Sequence, residues 1–375
     1  MANKGFSIFR VLKTNWFLAQ TNSKRTQKSG LKGTLNAKTN WNSRVQGRWV
    51  AHTSPRFCRD VRAPLNSEQL GEGMRRCTSF AFEDALRICA LAVGFSIVLC
   101  APASARMMKD QTGRMVNLPE NPHRLVSLAP NITEIVYALG LGDELVGDTD
   151  NCDYPPQATS KPHVGTMVNP SLERIVALKP DLALGTPEAN RRETADQLER
   201  LGIPVYGVTA STLEGSLASI EDLGKVLGCE AEAKRLVARM QARIDRIENR
   251  FKGEPQPKVL FVVWYRPLIT VGPHTFIADV IRAAGGVPIG ENLKGEWPRL
   301  TLEELLPLNP DVILFPPSDS FSPSLEDFRG LPGWKDLRGV KEGRMYMVSE
   351  TILRVGPRLV DALEELAGIL HPVRK

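Results

Sequence analysis

Ser171–Gly185 reads SLERIVALKPDLALG, and Thr301–Phe315 reads TLEELLPLNPDVILF. The two stretches stand 130 residues apart, with no insertion between the copies. Each opens with a hydroxyl residue followed by Leu and Glu (Glu173, Glu303). A short apolar helix pattern leads to Lys-Pro-Asp or Asn-Pro-Asp and then to an apolar run. The hydroxyl suits a helix N-cap, and a Glu in the first turn suits the positive end of the helix dipole. Pro180 and Pro310 cannot continue a helix. The runs after them are too uniformly apolar for a half-exposed sheet and suit strands buried on both faces. A spacing of 130 residues is far too long for a solenoid repeat and is about the size of one domain. The chain therefore reads as two similar α/β lobes with parallel sheets.

Outward from these copies, strand and helix patterns alternate, which implies right-handed crossovers. Strands are expected at Arg124–Leu128, Asp181–Leu184, Pro204–Val208, Lys258–Val263, Asp311–Phe315 and Arg344–Val348. Helices are expected at Ile132–Leu139, Asn190–Leu201, Thr212–Leu227 and His274–Ala284. A closing helix is expected at Pro357–Leu370, with Pro in its first turn. No GxGxxG or P-loop follows any strand, which argues against dinucleotide and ATP binding. One segment breaks the alternation. Glu230–Phe251 has no Gly or Pro and carries Ala233, Leu236, Val237, Met240, Ile244, Ile247 and Phe251 at helical spacing. At about 1.5 Å per residue such a helix is roughly 33 Å long, enough to cross a small domain. Its place between the repeated units suits a rigid connecting rod. The expected organisation is an N-terminal lobe over residues 106–228, the rod over 229–253 and a C-terminal lobe over 254–375.

The N-terminal third has another character. Residues 1–73 hold 13 Lys or Arg against 3 Asp or Glu and show no sustained periodicity. A nucleic-acid arm is the alternative to a disordered stretch or an extension translated from a misassigned start, with Met74 as the natural start. From Met74 the order is that of a secretory signal: Arg75 and Arg76, an apolar core over Ile88–Leu99, and Ala103-Ser104-Ala105 as a cleavage site. The core is short for a membrane span, which needs about 20 residues; a single membrane anchor is the alternative reading. Cleavage after Ala105 leaves 32 basic and 37 acidic residues, so the exported protein is mildly acidic and the basic balance belongs to the discarded end. Cys152 and Cys229 remain, and two cysteines of unknown proximity leave pairing open. No HExxH, HxH or CxxC spacing supports a protein-held metal, and no nucleophile–base pairing marks a catalytic residue.

Five stretches carry a resemblance: RLVSLAPNITEIVYALG (Arg124–Gly140), CDYPPQA (Cys152–Ala158), SLERIVALKPDLALG, EWPRLTLEELL (Glu296–Leu306) and VGPRLVDALEEL (Val355–Leu366). Over about residues 121–371 the chain resembles the periplasmic substrate-binding proteins of ABC importers for cobalamin and iron chelates, the cobalamin binders most of all. The resemblance implies two α/β lobes bridged by a long helix, a ligand cleft between them, no catalysis and no intrinsic cofactor. It implies a periplasmic location and, as partner, a dimeric permease in the inner membrane. It also gives the duplicated acids a role: Glu173 and Glu303, one per lobe, dock into arginine pockets on the two permease subunits. Thr301 and Glu304 already compose a capping box, which leaves Glu303 free for that role.

Large flat ligands favour aromatic walls. Where cobalamin-binding relatives carry aromatics, the matching positions here are Asn151, Met167, Thr186 and Thr351. Trp297 matches, and Asn131, Tyr265 and Arg354 complete the expected contact set, with Trp264 nearby. Met167 is a soft substitute against a corrin face. The expected ligand is cobalamin or a related corrinoid; a ferric siderophore or haem is the alternative within the same fold, and an α/β enzyme with a cleft site is the alternative outside it.

Overall fold

The structure, a computed structural model, describes residues 105–317 and 325–372. The expected leader and the basic tract before it lie outside the described residues.

The described residues begin with an antiparallel hairpin, β1 (Ala105–Lys109) and β2 (Met115–Pro119), which the simple alternation did not anticipate. Its inward side chains, Val116 and Leu118, join the core. The Arg106 guanidinium donates to the carbonyls of Lys225 and Val226 (2.8 and 2.7 Å). These carbonyls close helix α4 (Leu213–Val226), so the cation sits at the negative end of a helix.

Two four-stranded parallel sheets follow. The first holds β3 (Leu125–Ser127), β4 (Leu145–Gly147), β5 (Leu182–Gly185) and β6 (Val205–Gly207), in the order β4-β3-β5-β6. The second holds β7 (Lys258–Phe261), β9 (Val287–Pro288), β11 (Val312–Phe315) and β12 (Met345–Met347), in the order β9-β7-β11-β12. Each is second, first, third, fourth along its own lobe. In the second lobe, two-residue strands β8 (Leu268–Ile269) and β10 (Arg299–Leu300) pair as an antiparallel ribbon between these elements.

The repeat is structural down to single atoms. Helices α2 (Leu172–Ala177) and α7 (Leu302–Leu308) precede the third strands. The Ser171 and Thr301 hydroxyls accept the amides of Arg174 and Glu304 (3.3 and 3.2 Å), and Glu304 returns to Thr301 as the expected capping box. Both helices stop at a left-handed residue, Lys179 (φ 49) or Asn309 (φ 43), one place before the prolines to which the sequence pattern assigned the stop. The Asp of each Lys/Asn-Pro-Asp ties strand three to the start of strand one. Asp181 accepts the amides of His123 and Arg124 (2.8 and 3.0 Å), and Asp311 that of Lys258 (2.8 Å). Arg124 and Lys258 then cap the spent helices, donating to the carbonyls of Leu178 (2.6 Å) and Leu308 (3.3 Å).

Helix α5 (Glu230–Phe251) has the predicted bounds. Its buried face, Ala233, Leu236, Met240, Ile244 and Ile247, packs against α4, α6 (Phe276–Ala283) and α10 (Leu359–Leu370). One continuous apolar cluster runs through both sheets and this helix. At about 1.5–3 kcal/mol for each large side chain buried, detaching the rod from either lobe is prohibitive. On the surface, Arg243 of α5 pairs with Asp361 and Glu364 of α10 (2.7 Å each). The closing helix starts at Leu359, so Pro357 precedes it and does not occupy its first turn. The remaining helices are α1 (Pro130–Ala138), α3 (Arg192–Arg200) and the short α8 (Leu325–Arg329) and α9 (Arg338–Lys341). Cys152 and Cys229 are both buried and unpaired as thiols, which answers the open question of a disulfide. Among the described residues no helix is long and apolar enough to cross a membrane.

Candidate functional site

In open parallel sheets, ligands sit beyond the carboxyl ends of the strands, where the strand order reverses. Each sheet here reverses between its first and third strands. Every expected ligand residue lies on a segment that leaves a strand at that end. Asn131 follows β3, Asn151 and Met167 follow β4, and Thr186 follows β5. In the second lobe Tyr265 follows β7, Trp297 follows β9, and Thr351 and Arg354 follow β12.

Part of this set meets at a seam between the lobes. The Asn131 amide donates to the Val355 carbonyl (3.3 Å). Glu134, three residues further along α1, is 2 % exposed at its side chain and binds Arg358 (2.6 Å) and Arg354 (3.1 Å) from the other lobe. Arg354 also holds Asp153 (2.6 Å) and Glu350 (2.7 Å), and the Arg358 guanidinium lies 3.9 Å from the ring centroid of Tyr154. Burial works against the Arg354 charge, but Asp153 and the other carboxylates outweigh it and raise its affinity for the proton. Burial likewise works against the Asp153 anion, and Arg354 more than compensates, leaving Asp153 below its ordinary value. The seam is thus a closed set of charges: an isolated buried ion is prohibitive, and each here has an opposite within hydrogen-bond distance. A second tie joins the lobes where the Leu213 amide donates to Asp279 (3.0 Å).

Other expected residues are placed differently. Met167, expected against a corrin face, is 5 % exposed and packs in the core, while its carbonyl accepts from Asn190 (2.8 Å). Thr186 and Thr351 are also buried, their hydroxyls donating to Glu188 and Ser349. In this conformation these three side chains offer a ligand little surface. Tyr265 is half-buried among Phe328 (5.5 Å between centroids) and Trp334 (5.7 Å) in the second lobe. Trp297 is half-buried against the main core. Asn151 is half-buried, and its Oδ1 is buried without a partner among the described residues.

Sequence reasoning missed Glu134, Asp153 and Arg358. Glu134 left a signal, since an acid between Ile132 and Ile135 on an apolar helix face needs a cation to meet it.

Beneath the loop that carries Asn151, Asp148 is fully buried with His163 Nδ1 at 2.7 Å. Burial pushes the Asp148 carboxyl up to about 7, with His163 and Lys161 pulling the other way. An unfolded Asp releases its proton near 3.9, so between about pH 4 and 7 the native state keeps a proton that the unfolded state has lost. Stability contributed by this group is therefore complete below pH 4 and is lost as pH rises to about 7. We expect the wild-type melting temperature to fall between pH 5 and pH 8 relative to Asp148→Asn. Parallel pH profiles for the two proteins would rule this out.

Glu173 and Glu303 are exposed in the first turns of α2 and α7. Because the ends of these helices are held at the starts of β3 and β7, their first turns point to the edge where the strands finish. Among the described residues neither carboxylate has an ion-pair partner.

A family model described as periplasmic binding protein matches residues 125–351. The chain is 34% identical over 272 residues to the ABC transporter substrate-binding lipoprotein YvrC of Bacillus subtilis (strain 168), covering 70% of this chain and 84% of that one. Among solved structures it is similar to the periplasmic heme-binding protein RhuT of Roseiflexus sp. RS-1 in its apo form, with 27% identity, a TM-score of 0.60, and coverage of 66% of this chain and 97% of that one. The periplasmic vitamin B12-binding protein BtuF of Vibrio cholerae gives 27% identity, a TM-score of 0.58, and coverage of 67% and 98%. With more than half of its length matched, the chain belongs to the periplasmic binding protein family.

Proposed function

We propose that this chain is the solute-binding component of an ABC importer, capturing cobalamin or a related corrinoid between its lobes and handing it to a membrane permease. The observation that carries the reading is the pair of like-ordered sheets whose carboxyl-end segments, Asn131 and Arg354 among them, meet at one seam between the lobes. Relatives named for vitamin B12 binding support the corrinoid, which is taken here as transported cargo and not as a resident cofactor. Haem is the second reading, supported by equal identity to a heme-binding relative. In either case the protein works by binding and release, with the Arg354–Asp153–Glu350 group bordering the cleft as a set of mutually paired charges. Docking to the permease is assigned to Glu173 and Glu303, each a carboxylate for an arginine pocket.

Titration of the purified protein with cobalamin, cobinamide, haem and a ferric siderophore tests the ligand. Trp264, Trp297 and Trp334 all stand in the second lobe and report on it. Saturable quenching by cobalamin or cobinamide at micromolar concentration or below is the expected result; a response to haem alone would transfer the assignment, and turnover of any ligand would favour an enzyme. The location is proposed as periplasmic, with the leader removed after Ala105. Edman sequencing of the protein from the host envelope should begin near Arg106, and recovery of residues 1–73 there would exclude this processing.

A further inference from the structure

The two copies of the repeat match in burial at every position from Leu172 to Thr186 and from Leu302 to Pro316. That match extends to two large apolar side chains left on the surface. Val176 is 42 % exposed and Leu306 is 39 % exposed, again 130 residues apart. Each lies three residues after its glutamate, on the same face of its helix. A carboxylate beside an aliphatic side chain, shown once by each lobe, suits a partner that offers a basic group beside an apolar wall twice over, as a two-fold pair of subunits does.

The charges around the two copies do not match. The N-terminal face sets Glu173 among two exposed bases, Arg174 and Lys179. The Arg174 guanidinium donates only to the His163 carbonyl (3.4 Å), so among the described residues no carboxylate neutralises it. The C-terminal face sets Glu303 beside Glu304, with neutral Asn309 where Lys179 stands. The Thr301 amide and hydroxyl hold the Glu304 carboxyl below its ordinary value, so it stays ionised. Within the matched helical segments one copy thus carries one acid and two bases and the other two acids; beyond them, exposed Arg299 precedes Glu303 by four residues, and Arg124 and Lys258 stand alike at the ends of the two helices. The aliphatic contact is also the larger one on the second face, Leu against Val.

We propose that the two docking faces are unequal, and that the C-terminal face (Glu303, Glu304, Leu306) supplies most of the attraction to the permease. This rests on the docking role assigned to Glu173 and Glu303. Toward a basic pocket, Arg174 and Lys179 oppose the pull of Glu173, whereas Glu304 adds to that of Glu303. The C-terminal lobe therefore governs the encounter and its salt dependence.

The test measures binding of the full protein to the permease–ATPase complex in nanodiscs over a series of sodium chloride concentrations. Glu303→Gln should weaken binding by about 10- to 100-fold, the range for a charge-assisted contact. It should also flatten the salt dependence. Glu173→Gln should weaken binding by no more than about fivefold, the range for an exposed and compromised pair. Replacing both bases, Arg174→Glu with Lys179→Asn, should tighten binding above wild type. Each variant is checked for unchanged melting temperature and ligand affinity. Equal losses from the two glutamate variants, or no gain from removing the bases, would overturn the inequality while leaving the docking role intact. No loss from either glutamate variant would instead overturn the docking role itself.

Discussion

Replacing Glu134 with alanine should lower the melting temperature by roughly 10 °C and weaken ligand capture. The carboxylate is 2 % exposed and is met by Arg358 and Arg354, themselves 20 % and 13 % exposed at their side chains. Removing one member of a buried ion set leaves the others uncompensated, at a cost of about 3–5 kcal/mol. A chain of this size loses about 2–4 °C per kcal/mol. Arg354 keeps Asp153 and Glu350, so the larger loss falls on Arg358, which among the described residues keeps the Tyr154 ring. A double replacement, Glu134→Leu with Arg358→Met, should recover much of the stability because it removes both charges together. It should not recover ligand affinity if the seam beside Asn131 orders the cleft. Calorimetry and the fluorescence titration separate these effects. A melting temperature within about 2 °C of wild type for Glu134→Ala would show that the seam holds little of the fold together.

Loss of both carboxylates assigned to docking, Glu173→Ala with Glu303→Ala, should weaken the complex with the permease on the order of 100-fold while leaving ligand affinity untouched, since a charge-assisted contact at Glu303 contributes about 1.5–3 kcal/mol and the compromised pair at Glu173 about 1 kcal/mol or less. Both side chains are exposed, and the caps of their helices come from Ser171 and from Thr301 with Glu304. Folding therefore has little stake in either residue, and the melting temperature should stay near wild type. A purely local role as helix-start acids predicts the opposite pattern: a small thermal loss and normal complex formation. Measuring all three quantities on one preparation decides between them, and undiminished permease binding by the double variant would remove the docking assignment.

The fold was legible because its signals are local or periodic. The long helix needed only an unbroken 3.6-residue pattern, and its bounds match the structure. The buried third strands followed from apolar runs after Pro180 and Pro310. The hairpin at Ala105–Pro119 escaped because short strands with one exposed face leave a weak alternation, one that lies beside the expected cleavage site. The candidate site was less legible. Asn131 and Arg354 were placed from a resemblance and do lie at one seam, but the resemblance could not say that carboxylates occupy the Arg354 guanidinium. Met167 was assigned from the same resemblance, as a soft wall against a corrin face, and in this conformation its side chain packs inside.

By itself, the sequence determined that there are two lobes, that their third strands are equivalent, and that one rigid helix joins them. These follow from a repeat and a period, which do not depend on what lies across the molecule. The tertiary structure alone decided what the repeated Asp does and which charges meet. Asp181 and Asp311 acquire their role only when strand three lies beside strand one. Glu134 finds Arg354 and Arg358 more than two hundred residues away, across a seam that exists only once both lobes have folded against the same helix. A buried charge announces in the sequence that it needs a partner, but the identity of that partner is set by which surfaces the packing brings together.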